Sequence, residues 1–155
     1  DWWFQEIAKH ISDQAEKDMA CDFDYAVVDA MPVEAQAIFH TWWFSCEAGG
    51  SGIGGFLLQG AGLHTKEALA GLRMIGATVL ADRLQAAIPL SLEWGPEYTT
   101  LDDWSWFEQF EKKPRFPTIE AIDTEETYDL IGDDLRNKVN AFIRENISVF
   151  VEQST

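Results

Sequence analysis

The sequence predicts an all-α protein: a single compact, acidic domain of about six to eight helices covering residues 1–155. Two observations carry that prediction. Apolar residues recur every three or four positions through most of the chain, the period of one helix face. No alternating apolar and polar run is long enough to make a strand. The chain has 155 residues, 46% of them hydrophobic, so it can bury a core and is too apolar for disorder.

Each element follows from its own pattern. Trp3, Ile7, Ile11, Ala15 and Met19 form an apolar stripe that predicts a first helix from Trp2 to about Met19, with Lys9, Asp13 and Lys17 as an i, i+4 series on another face. Asp22 to Tyr25 breaks the pattern. Pro32 suits the first turn of a second helix, along which Ala35, Ile38, Phe39, Trp42 and Cys46 are helically spaced. The aromatic run Trp42 to Phe44 also suits a strand, and the longer periodicity decides for helix. Thr65 is placed to cap a helix carrying Ala68, Leu69, Leu72 and Ile75, with Glu67 in its first turn. Gly76 bends the chain into a further helix bearing Leu80, Leu84, Ala87 and Ile88, which Pro89 is expected to end. Residues 90–117 are the least regular, with a short amphipathic helix predicted over Leu101–Lys113. After Pro114 and Pro117, residues 123–134 are acidic and helical in part. Leu135, Val139, Phe142, Ile143, Ile147 and Phe150 make a continuous stripe for the last helix.

Charge is the strongest global signal. The net charge is −16, and the acid falls in two blocks: residues 1–34 carry −7 and residues 97–134 carry −9, with a nearly neutral centre between them. Such a surface repels nucleic acid and anionic membranes and attracts cations or a basic protein. No apolar run approaches the roughly 18 residues of a membrane helix, and no secretory signal is visible, so the expected location is cytoplasmic. Cys21 and Cys46 read as two buried thiols of a reducing compartment.

Several catalytic and cofactor readings fail on spacing. Gly50, Gly52 and Gly55 match G-x-G-x-x-G, but the preceding segment is helical and no acid lies about 20 residues on to hold a ribose. The glycines are therefore expected to serve backbone conformation and close approach. His10, His40 and His64 lack metal-ligand spacing, no C-x-x-C occurs, and the acidic 123–134 stretch lacks the glycine of a calcium loop. No metal or cofactor is expected. Ser51 misses the second glycine of a nucleophile elbow. Asp102 and Asp103 beside Trp104 and Trp106 could form a glycosidase pair, yet so acidic a chain puts some acid near an aromatic by chance. A small hydrolase using Cys46 with His40 or His64 is the alternative enzyme reading. A domain whose charge serves solubility alone is a third.

The stretch from Cys46 to Leu90 resembles the DNA mimic protein 19-like family of small bacterial proteins. The resemblance rests on Gly54-Gly55-Phe56-Leu-Leu-Gln59, on Glu67-Ala-Leu69 leading to Met74-Ile-Gly-Ala77, and on Ala81, Leu84, Ala87-Ile88 and Leu90. Thr124-EETYDL before the closing helix is also similar. The resemblance implies an all-helical, often self-associating domain, with Gly54, Gly55, Phe56 and Gly76 as structural turn residues. It implies no catalytic motif, and a negative surface that imitates DNA phosphates on a protein's DNA-binding face.

The expected function is thus an inhibitor that occupies the basic nucleic-acid-binding face of a partner, either a nuclease toxin or a DNA-binding regulator. The expected contact acids are Asp102, Asp103, Glu108, Glu111, Glu120, Asp123, Glu125, Glu126, Asp129, Asp133 and Asp134, with Trp104 and Trp106 as aromatic anchors.

Overall fold

The computed structural model describes residues 3–18, 22–58, 64–92 and 121–151. The described chain is all-α apart from one minimal ladder. Helix α1 (Trp3–Ala15) is followed by strand β1 (Glu16–Asp18), which pairs antiparallel with β2 (Asp22–Phe23). Helices α2 (Tyr25–Asp29), α3 (Val33–Leu58), α4 (Thr65–Met74) and α5 (Thr78–Leu92) come next. An acidic helix then opens as α6 (Glu125–Asp129), widens through a π-helical turn (Leu130–Asp134), and continues as α7 (Leu135–Glu145) before the short α8 (Ile147–Val151).

Helix α1 stops four residues short of the expected Met19, because the Asp24 amide bonds the Ala15 carbonyl at 2.7 Å and the chain turns into the ladder. The Asp24 carboxylate then caps α2 by accepting from the Ala26 amide. Lys9 and Asp13 pair at 2.6 Å, as their spacing predicts.

Helix α3 is the central element and packs against α1, α2, α4, α5, α6 and α8. Its core face carries Ile38, Phe39 and Phe44, all fully buried, so the aromatic run is helical. At Gly52 the backbone takes φ 71° and ψ −179°, a region open essentially to glycine alone, and the helix folds back. Residues twelve apart on a straight helix lie about 18 Å apart. Here the Phe44 and Phe56 rings meet edge-on with centroids 4.9 Å apart.

Helix α4 lies directly on α3 at Gly71, where a Cβ would come within 2.9 Å of the Ala37 carbonyl. Its end is a Schellman turn: the Gly76 amide bonds the Arg73 carbonyl and the Ala77 amide bonds the Leu72 carbonyl, with Gly76 at φ 79°. Leu72, Leu80, Leu84, Leu135, Val139 and Ile143 complete the core.

Four local expectations are corrected. Helix α4 begins at Thr65, so His64 holds the cap position and makes no side-chain cap bond. Pro89 does not end α5, which runs on to Leu92 with the proline on an exposed side at the cost of one amide bond. The last stripe is broken at Asn146, which caps α7 by donating its amide side chain to the Phe142 carbonyl at 2.9 Å and leaves Ile147 45% exposed. Cys46 is exposed, on the outer side of α3. Cys21 and the predicted Leu101–Lys113 helix lie outside the described residues. Among the described residues no helix is long and apolar enough to cross a membrane.

Candidate functional site

The glycine-rich bend and the acidic helix form one unit. After the Gly52 bend, the second half of α3 starts with free amides, as any helix N-terminus does. The Asp123 carboxylate fills that position from 70 residues away: it accepts from the Ile53 amide at 2.7 Å and from the Gly54 amide at 3.0 Å. A side chain on Gly52 would lie 2.4 Å from that carboxylate. The G-x-G-x-x-G spacing thus does build an anion-binding helix start, and the anion is the chain's own. Burial pushes the Asp123 carboxyl up from its ordinary value and outweighs the two amide bonds, which pull it down.

The resemblance places the turn at Gly54, Gly55 and Phe56. The bend sits at Gly52, and these three are buried helical residues after it. Gly55 is required for packing, since a Cβ there would meet the Ser51 Cβ at 2.2 Å. Gly76 is a turn residue with positive φ.

From Asp123 the chain enters the acidic helix. Thr124 caps it by accepting from the Thr127 amide. Arg83 of α5 reaches across to donate to the Thr124 and Thr127 hydroxyls and pairs with Glu126 at 2.5 Å. The buried Thr127 hydroxyl in turn donates to the Ile122 carbonyl. Two tethers, Asp123 to α3 and Arg83 to α5, therefore fix the start of this helix on the core.

Beyond the tethers the acids face solvent. Glu125, Glu126, Asp129 and Asp133 are exposed and Asp134 is half-buried. Glu125 and Asp129 lie four residues and about 6 Å apart along the α-helical stretch, and exposed Asp133 follows four residues on within the π-helical turn. Asp133 pairs with Arg136. Among the described residues, Glu125, Asp129 and Asp134 form no ion pair. Asp123, by contrast, is half-buried and occupied as a cap. Asp102, Asp103, Trp104, Trp106, Glu108, Glu111 and Glu120 lie outside the described residues.

A second cluster brings together rings that no sequence motif links. The rings of Tyr25 and His64 stack at 3.7 Å, and His40 lies 5.9 Å from His64 in a near-parallel arrangement. Burial, and next the charge of His64, pushes the His40 ring down to about 4. Burial also lowers His64, against the opposing pull of Glu67 and Asp29. Cys46 does not join this cluster as the hydrolase alternative requires. It stands six residues beyond His40, about 9 Å along α3 and about 120° round it. Among the described residues no three His, Cys, Asp or Glu side chains converge as a metal site.

A family model for DMP19-like proteins matches residues 29–146, more than half of the chain. The chain belongs to the DMP19-like protein family. The match runs from the last residue of α2 to Asn146, the cap of α7. It therefore takes in the Gly52 bend, its Asp123 cap and the acidic helix together. No curated protein and no solved structure matches the chain.

Proposed function

We propose that this DMP19-like protein is a binding protein that occupies the basic nucleic-acid-binding face of a partner, presenting carboxylates where DNA would present phosphates. The partner is a nuclease, with the chain as its inhibitor, or a DNA-binding regulator. The observation that carries the reading is the acidic row on the tethered helix, where exposed Glu125, Asp129 and Asp133 follow at four-residue intervals from a start fixed by Asp123 and Arg83.

Three physical points support it. Duplex DNA carries about one charge per 1.7 Å of axis, so a groove that binds it is strongly cationic. Carboxylates held on a fixed helix lose little conformational freedom on binding, which favours affinity. A chain of net charge −16 has long-range attraction for such a groove and is repelled by nucleic acid itself. The 102–120 acids and the two tryptophans belong to the same acidic block in sequence and extend the proposed contact face.

The test is a pull-down from the native cell with the wild-type chain and with a Glu125→Lys, Asp129→Lys, Asp134→Lys triple variant. Each reversal moves the net charge by two, from −16 to −10 in all. The expected catch is a basic nuclease or DNA-binding protein that the variant retains poorly. Equal capture by the variant would contradict the proposal.

A further inference from the structure

The fold leaves the polar atoms of His40 unused. The residue is 4% exposed, and neither ring nitrogen has a hydrogen-bond partner among the described residues. Leaving a buried polar group unpaired costs about 1–3 kcal/mol, so native proteins seldom do it without a reason.

The ring lines a cleft of about 110 Å³ between α3 and α4. Ala37 and Gly71 form its floor where the two helices touch. Val33 and Met74 stand at its rim, 53% and 42% exposed, large apolar side chains left in water. Glu67, exposed in the first turn of α4, is the charged group of the lining. Because burial keeps the imidazole neutral near pH 7, it offers one N–H and one bare acceptor nitrogen.

These features select a ligand. Glu67, together with Asp29, whose charge reaches the same ring, opposes an anion. A purely apolar group would cover Val33 and Met74 and leave His40 unpaired. A cationic donor on an apolar stem meets the acceptor nitrogen of His40, the apolar rim and the acid together. A guanidinium suits it better than an ammonium, since its planar fork reaches two acceptors and sheds water more readily.

We propose that the cleft between α3 and α4 is a socket for an arginine side chain of the basic partner. The guanidinium donates to the unpaired His40 nitrogen and to the Glu67 carboxylate, and the stem lies on Val33 and Met74. This inference rests on the reading of the chain as a binder of a basic protein, and it adds a second contact away from the acidic helix.

The test needs no partner. The imidazole nitrogens of the full chain are followed by NMR while N-acetyl-arginine-N-methylamide is added, with the norleucine and lysine analogues as controls. The arginine probe is expected to move the acceptor nitrogen of His40 and to leave the exposed His10 unmoved. Glu67→Gln is expected to weaken that binding about tenfold, the scale of one charge-assisted hydrogen bond. Glu67 is exposed, so this variant keeps the fold even if a His40 variant does not. A His40 signal that stays still, or that responds equally to norleucine or lysine, would overturn the socket. A still His40 alongside salt-sensitive partner capture removes the socket and leaves the acidic face standing.

Discussion

Replacing Asp123 by Ala should destabilise the protein by about 2–3 kcal/mol. The carboxylate accepts from the Ile53 and Gly54 amides at 2.7 and 3.0 Å, and both residues are buried. Losing a hydrogen bond to a charged acceptor and stranding a buried donor costs about 1–3 kcal/mol each. Two such losses are offset in part because the variant no longer buries a charge, the cost that raises the Asp123 carboxyl. The remainder matches the upper range for loss of a helix N-cap, about 2 kcal/mol. In a chain of this length that lowers Tm by roughly 5–10 °C. Asp123→Asn keeps one acceptor oxygen but turns a donor toward the amides, so it should lose a smaller part of the same energy. Urea denaturation followed by circular dichroism measures both variants, with the m-value expected to stay constant. An Asp123→Ala protein within about 0.5 kcal/mol of wild type would refute the cap, since surface changes alone stay in that range.

The same geometry predicts that no nucleotide raises Tm, because the helix start that could hold a phosphate already holds Asp123; a dinucleotide that protects the protein in a thermal-shift assay would contradict this. Gly71→Ala should destabilise by about 1–2 kcal/mol, since its Cβ meets the Ala37 carbonyl and the Thr41 hydroxyl at 2.9 Å and overpacking outweighs the gain in helix propensity. Equal or higher stability in urea would contradict the close crossing of α3 and α4. His40, pushed from 6.5 to about 4 by burial, binds protons more weakly folded than unfolded. Its contribution is therefore full above pH 6.5 and lost as pH falls toward 4, a change of about 3 kcal/mol. In His40→Phe that loss should be absent, so between pH 7 and pH 4 the wild type should lose about this much stability relative to the variant, and an unchanged difference would contradict the burial of the ring.

What the sequence made legible follows the range of each interaction. Local periodicity was enough to make Trp42 to Phe44 helical, and a lone glycine before a renewed apolar pattern was enough to place the α4–α5 bend at Gly76. Both depend on residues within a turn or two of one another. The Asp123 cap joins positions 70 apart and leaves no local trace, so the glycines read as serving backbone conformation while the carboxylate that fills the bend goes unseen. The stacked Tyr25, His64 and His40 rings come from three elements, and no motif links them. The β1–β2 ladder is too short to show a period of two. Pro89 does not stop α5 because an interior proline removes one amide bond and can be carried within a helix that packing holds. In the acidic helix, the sequence supplied the carboxylates, but only the fold separates Asp123, spent as a cap, from Glu125 and Asp129, which face solvent.

The central claim is that fixed carboxylates on the acidic helix take the place of DNA on a basic partner. Its most direct test is displacement of a labelled DNA duplex from the captured partner, titrated with wild-type chain and with the Glu125→Lys, Asp129→Lys, Asp134→Lys variant. The titration is run at low and at physiological salt, where the screening length falls from about 30 Å to about 8 Å. The account predicts that the wild-type chain displaces the duplex, that added salt weakens it, and that the variant fails while keeping its helical circular dichroism. A variant that displaces the duplex as well as wild type, or a wild-type chain that binds the partner and leaves its DNA in place, would contradict it.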